Sequence, residues 1–214
     1  SLNIQADWLN LGNLTFRYSG SSVKGFWEGA IGLTGNHNTV NGLDVSYNDY
    51  GALGGLCKDC VIKNSKFSYN GNVGSTLAGN NIIYENNIIN GNNYRVYDSG
   101  SSCGGVKFFP NSLSNKDESM IFRNNTLEGN IKCPAVWFDT EGAGHQILNN
   151  TIKNNGDYGV MVEVSKGTAI KPIVIDGNTF ENNGVSMEWQ GGVYISASDY
   201  VQVKNNIFKD AAFR

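Results

Sequence analysis

The chain has 214 residues, 16 Lys and Arg against 19 Asp and Glu, a net charge of −3, and only 16 % charged residues. No basic stripe accompanies that balance, which argues against nucleic acid as a partner, and no apolar run is long enough for membrane insertion. With 27 Gly, 3 Pro and no extended amphipathic helical pattern, the composition points to an all-β protein of short strands and turns.

One asparagine-bearing segment recurs from end to end. In chain order it reads LNLGNLTF ending at Phe16, NTVNGLDV at Val45, CVIKNSKF at Phe67, IIYENNII at Ile89 and MIFRNNTL at Leu127. HQILNNTI at Ile152, IVIDGNTF at Phe180 and VQVKNNIF at Phe208 complete the series. Recurrence at intervals of roughly 20–40 residues marks a solenoid rather than an ordinary globule. Within each copy, apolar and polar residues alternate as in a half-buried strand. Three residues later stands another asparagine: Asn48, Asn70, Asn92, Asn130, Asn155 and Asn183. Asn tolerates left-handed backbone, and its amide can bond a neighbouring copy, so stacked coils turn such corners into ladders. The Asn-x-Thr triplets at Asn13, Asn124 and Asn149 are assigned to the same ladders, which discounts them as glycosylation signals.

After the corner, a second alternating run begins. It reads GGVKFF at Gly104–Phe109, PAVWFD at Pro134–Asp139, YGVMVE at Tyr158–Glu163 and GGVYIS at Gly191–Ser196. With Val106, Val136, Val160 and Val193 facing the core, the period of two sends Lys107, Trp137, Met161 and Tyr194 outward in one column. Phe109, Asp139, Glu163 and Ser196 form a second outward column, so Asp139 and Glu163 stand side by side with Lys107 one coil earlier. Like charges on neighbouring rungs destabilise a sheet unless something compensates. The carboxylate pair, flanked by Trp137 and Tyr194 as exposed aromatics, is the strongest candidate site.

The repeat runs unbroken over 1–214, which predicts one elongated domain. ADWLNLGNLTF at Ala6–Phe16 aligns with SDYVQVKNNIF at Ser198–Phe208, so the chain opens inside a repeat, and it ends just after a strand. Solenoids need capped ends, and the chain is therefore expected to be a piece of a longer solenoid. Cys103 and Cys133 each precede a core valine by three residues, which puts them in one column of consecutive coils, ~4.8 Å apart. A Cys103–Cys133 bridge is predicted, with the oxidising, secreted or cell-surface location it implies. Cys57 and Cys60 form a lone CxxC, read as a local bridge or two buried thiols. His37 and His145 read as turn or surface residues.

On these repeats, nearly the whole chain resembles the right-handed parallel β-helix proteins of the pectate-lyase-like superfamily. The resemblance implies a right-handed parallel β-helix of roughly seven to eight coils. A bacterial subset with coils similar to GGxK, xWFD and GxxxE is matched by Gly104–Lys107, Val136–Asp139 and Gly159–Glu163, and its opening coil by LTFRYSG at Leu14–Gly20. The subset departs at Phe109–Ser119, where a shorter turn is expected. The resemblance implies action on, or beside, extracellular polysaccharide without naming a reaction.

Three readings follow. In a polysaccharide lyase, Lys107 is the base while Asp139 and Glu163 hold Ca²⁺ through hard oxygen ligands, although the two carboxylates would raise the lysine's pKa. In a glycoside hydrolase, Asp139 and Glu163 share acid and base roles. In a non-catalytic glycan-binding or adhesive solenoid, Trp137, Tyr194, Trp189 and Trp27 stack on sugar rings of a polysaccharide or cell-surface glycan.

Overall fold

The structure is a computed structural model and describes residues 1–20, 29–97, 103–109, 119–140, 142–184 and 191–209. Each coil lays down three strands, separated by connections that range from one residue at Asn81 to ten between Phe109 and Met120. The fourth coil shows the pattern with Val73–Asn80, Ile82–Glu85 and Ile88–Asn90. Eight such coils stack among the described residues, so that first, second and third strands assemble into three eight-stranded sheets. Neighbouring strands run parallel and in register, as Val73–Asn80 does on both sides. The chain is thus a parallel β-helix with a triangular cross-section.

Alternation decides what fills the cylinder. Phe67, Tyr84, Phe108, Phe122 and Phe138 all point inward and are essentially inaccessible. Their rings pack from coil to coil, Tyr84 stacking on Phe122 at 5.3 Å and Phe108 meeting Phe138 at 5.2 Å between centroids. Truncating one such ring costs about 3–5 kcal/mol through lost transfer energy and the remaining cavity.

The corners carry the asparagine ladders. At the corner between the third and first sheets, Asn48, Asn70, Asn92, Asn130, Asn155 and Asn183 are buried in one file. Asn70 donates from its backbone N–H and from Nδ2 to Asn92 Oδ1, at 3.1 and 2.9 Å, and Asn92 repeats both bonds to Asn130. A second file, Asn87, Asn125, Asn150, Asn178 and Asn206, does the same between the second and third sheets. The triplet asparagines differ from expectation. Asn13, Asn124 and Asn149 are exposed at left-handed φ of 55°, each turning the corner outside the cylinder. The ladder members are the next residues in the two NNT triplets, Asn125 and Asn150, because the pleat reverses direction with each step.

Both predicted cysteine arrangements are bridges. Cys103 joins Cys133 across adjacent coils with Cα atoms 5.8 Å apart, and Cys57 joins Cys60 locally. His145 is not a surface residue. It is 6 % exposed, with its ring 4.7 Å from that of Phe138, and it lines the core beside the second sheet. His37 does sit at a turn, stacked on Trp8 at 4.1 Å.

Candidate functional site

The site lies on the outer face of the first sheet. Strands Gly104–Phe109, Val136–Asp139, Val160–Glu163 and Val193–Ser196 follow one another in that sheet. Their register pairs Lys107 with Trp137, Trp137 with Met161, and Met161 with Tyr194. Asp139 pairs with Glu163, so the two acids occupy the same station on neighbouring rungs. Neighbouring strands are ~4.8 Å apart, close enough for both carboxylates to meet one substrate group.

Lys107 ties the two columns together. Its Nζ donates to Asp139 Oδ2 at 2.7 Å and sits 3.4 Å from the centroid of the Trp137 ring. The charge is therefore held by a carboxylate on one side and an aromatic face on another. Burial lowers the Lys107 pKa from its ordinary value, against the opposing pull of Asp139 and Glu163. Composition alone suggested the reverse, because two carboxylates raise a nearby lysine. With a side chain only 3 % exposed, desolvation outweighs both of them.

Trp137, expected to be exposed, is buried, and its Nε1 has no hydrogen-bond partner among the described residues. On the other side of Lys107 in the same column, Thr76 Oγ1 is likewise buried without one. Two buried polar atoms on the rungs either side of Lys107 thus have unmet bonding capacity among the described residues, which is unusual for buried groups. Thr76 was missed in the sequence because its coil, VGSTLAGN, lacks the aromatic and acidic residues that mark the later ones. Tyr194 is 37 % exposed and stacks on Tyr158 at 4.5 Å, giving the C-terminal end of the column an aromatic wall.

The donor set does not fit Ca²⁺. Among the described residues no group of three or more His, Cys, Asp or Glu side chains converges. Asp139 and Glu163 offer two carboxylates where the ion takes six to eight oxygens, and the Lys107 ammonium already occupies Asp139 Oδ2. Two arginines elsewhere on the surface are held in ion pairs of their own, Arg17 with Asp44 on the third sheet and Arg95 with Asp49 beyond it. Trp27, Trp189 and most of Phe109–Ser119 lie outside the described residues.

A family model described as the right-handed beta helix region matches residues 9–208. The chain belongs to that family. No curated protein and no solved structure matches it. For a right-handed β-helix, the outer face of a sheet is a continuous track across coils, and here the charged and aromatic side chains fall on one stretch of it.

Proposed function

We propose that this β-helix protein cleaves an extracellular polysaccharide as a glycoside hydrolase, with Asp139 and Glu163 as the reacting carboxylates. The observation that carries the reading is their shared station on adjacent rungs, with Lys107 ion-paired to Asp139. Glycoside cleavage needs two acids in unlike environments, one to handle the proton of the leaving oxygen and one to act as base or nucleophile. Lys107 makes the environments unlike. It holds Asp139 as an ion pair, while Glu163, on the next rung, makes no ion pair among the described residues. Asp139 then serves as the anionic partner, and Glu163 delivers and recovers the proton. Tyr194, partly exposed at the end of the column, offers a ring face to a sugar. The two disulfides suit secretion or display at the cell surface.

One observation favours a lyase instead: the lowered pKa of Lys107 is what a lysine base would need. Its burial and its bond to Asp139 weigh against it as the group that meets a substrate proton. Incubation with a panel of neutral and uronate polysaccharides separates the two. New reducing ends, abolished by Glu163→Gln, are expected. An ultraviolet-absorbing unsaturated end would establish the lyase. Glycan retention with neither product would reduce the protein to a binding solenoid, and unchanged turnover in Glu163→Gln would remove the site assignment.

A further inference from the structure

Where the third sheet hands over to the first, the residue directly after the third strand takes left-handed backbone in each of the first seven coils. In the later coils it is Gly91, Gly129, Asn154 and Asn182, residue types that adopt it readily. In the first three coils it is Tyr18, Tyr47 and Tyr69, at φ of 57°, 59° and 53°. A bulky residue is an outlier there, and Asn fills the corner between the second and third sheets in most coils, so the fold does not demand tyrosine. None of the three belongs to the core cluster. They project outward and stack, Tyr18 on Tyr47 at 6.4 Å and Tyr47 on Tyr69 at 5.2 Å between centroids. The ladder stops at Gly91, where a Cβ would stand 2.5 Å from the Tyr69 ring.

Beside the ladder runs a groove of about 480 Å³ lined by Tyr18, Gly20, Tyr47, Asp49, Tyr69 and Tyr94. Its far wall is Tyr94, with the Arg95 guanidinium 6.0 Å from the ring centroid. Charge in and around the groove is internally matched: Arg95 pairs with Asp49, and Arg17, which lies over Tyr47, pairs with Asp44. The surface therefore offers aromatic carbon and phenolic hydroxyls repeated once per rung, without an unmatched cation or anion among these residues.

We propose that this groove binds a neutral glycan strand laid along the solenoid axis. Sugars present C–H faces and hydroxyls in a repeating order, which is what rings with a polar tip recognise. An extended polymer, unlike a compact ligand, engages several rungs at once. Ladder and groove belong to a sheet corner rather than to the outer face carrying Lys107, Asp139 and Glu163, so the proposal does not rest on the hydrolase reading.

Affinity electrophoresis of the full chain through gels containing soluble mannan, xylan, β-glucan or dextran tests it. At least one of these is expected to retard the protein. Tyr18→Asn/Tyr47→Asn/Tyr69→Asn, which installs the residue that later coils use at this corner, should weaken that retention about tenfold or more, as loss of stacking aromatics does. Tyr18→Asn alone, whose ring is the most exposed of the three, should weaken it measurably and stands in if the triple variant does not fold. Glu163→Gln should leave it intact. The proposal fails if no gel retards the wild type beyond a non-binding control, if the tyrosine variants migrate as the wild type does, or if Glu163→Gln alone abolishes retention. It also fails if sedimentation shows a dimer that the tyrosine substitutions dissociate, since the ladder would then seat a second copy of the chain.

Discussion

Acid should unfold this β-helix through His145. The imidazole is packed against Phe138 with Nδ1 unpartnered among the described residues, and burial pushes its pKa down to about 4. An unfolded histidine takes up its proton near pH 6.5. Between those values the unfolded chain binds a proton that the folded chain refuses, so stability rises with pH across the window. The loss begins as pH falls below about 6.5 and is complete once it passes about 4, where the folded site also protonates. A difference of ~2.5 pKa units at 1.36 kcal/mol each gives about 3 kcal/mol in full, and ~2.5 kcal/mol at about pH 4.5. His145→Phe keeps a ring beside Phe138 and removes the titration. Its melting temperature should exceed that of the wild type by roughly 5–10 °C at about pH 4.5, and the gap should narrow towards neutral pH. Asp157, raised by burial, acts with the opposite sign, because its neutral-pH penalty fades on acidification. It is present in both proteins and cancels. Parallel pH profiles for the two proteins would refute the reasoning.

Breaking the ladder should be costly from within. Asn92→Ala removes the acceptor of the Asn70 N–H and Nδ2, and the donor to Asn130 Oδ1 and the Phe67 carbonyl. At ~1–3 kcal/mol per buried group left unpaired, urea denaturation should report a loss of about 3–6 kcal/mol, against less than ~1 kcal/mol for the exposed Asn64→Ala. Replacing Cys103 and Cys133 by serine opens a loop with a sequence separation of 30. Chain entropy predicts a loss of ~3–4 kcal/mol, and the same pair of substitutions at Cys57 and Cys60 should cost clearly less in the same melt. Glu163→Gln should remove product formation while shifting the melting temperature little, since its side chain is only partly buried.

Direction was legible in this sequence; cover was not. A period of two states which side of a strand a residue takes, and stacking identical coils repeats that answer many times. The columns Lys107–Trp137–Met161–Tyr194 and Asp139–Glu163 therefore follow from aligning four valines. The same logic placed Cys103 opposite Cys133. Ladder membership failed by a single residue at Asn124 and Asn149, because consecutive asparagines give no amphipathic contrast to fix which one turns inward. His145 was misplaced for a related reason: a polar ring at a strand's edge carries no apolar signal, yet it fills space beside Phe138.

The same distinction explains the chemistry of the site. Pointing away from the cylinder does not place a side chain in water, and Lys107 and Trp137 are outward residues that are nonetheless buried. In solvent, Lys107 would be a mobile cation screened from both acids, and Asp139 and Glu163 would be near-equivalent carboxylates on neighbouring rungs. With its ammonium over the Trp137 ring and its charge desolvated, the lysine is held in an ion pair with Asp139. A sheet that repeats itself coil after coil builds like sites by default. Here a single buried cation pairs with one of two neighbouring carboxylates, and on the proposed hydrolase reading that difference in surroundings is what proton delivery to a glycosidic oxygen would use.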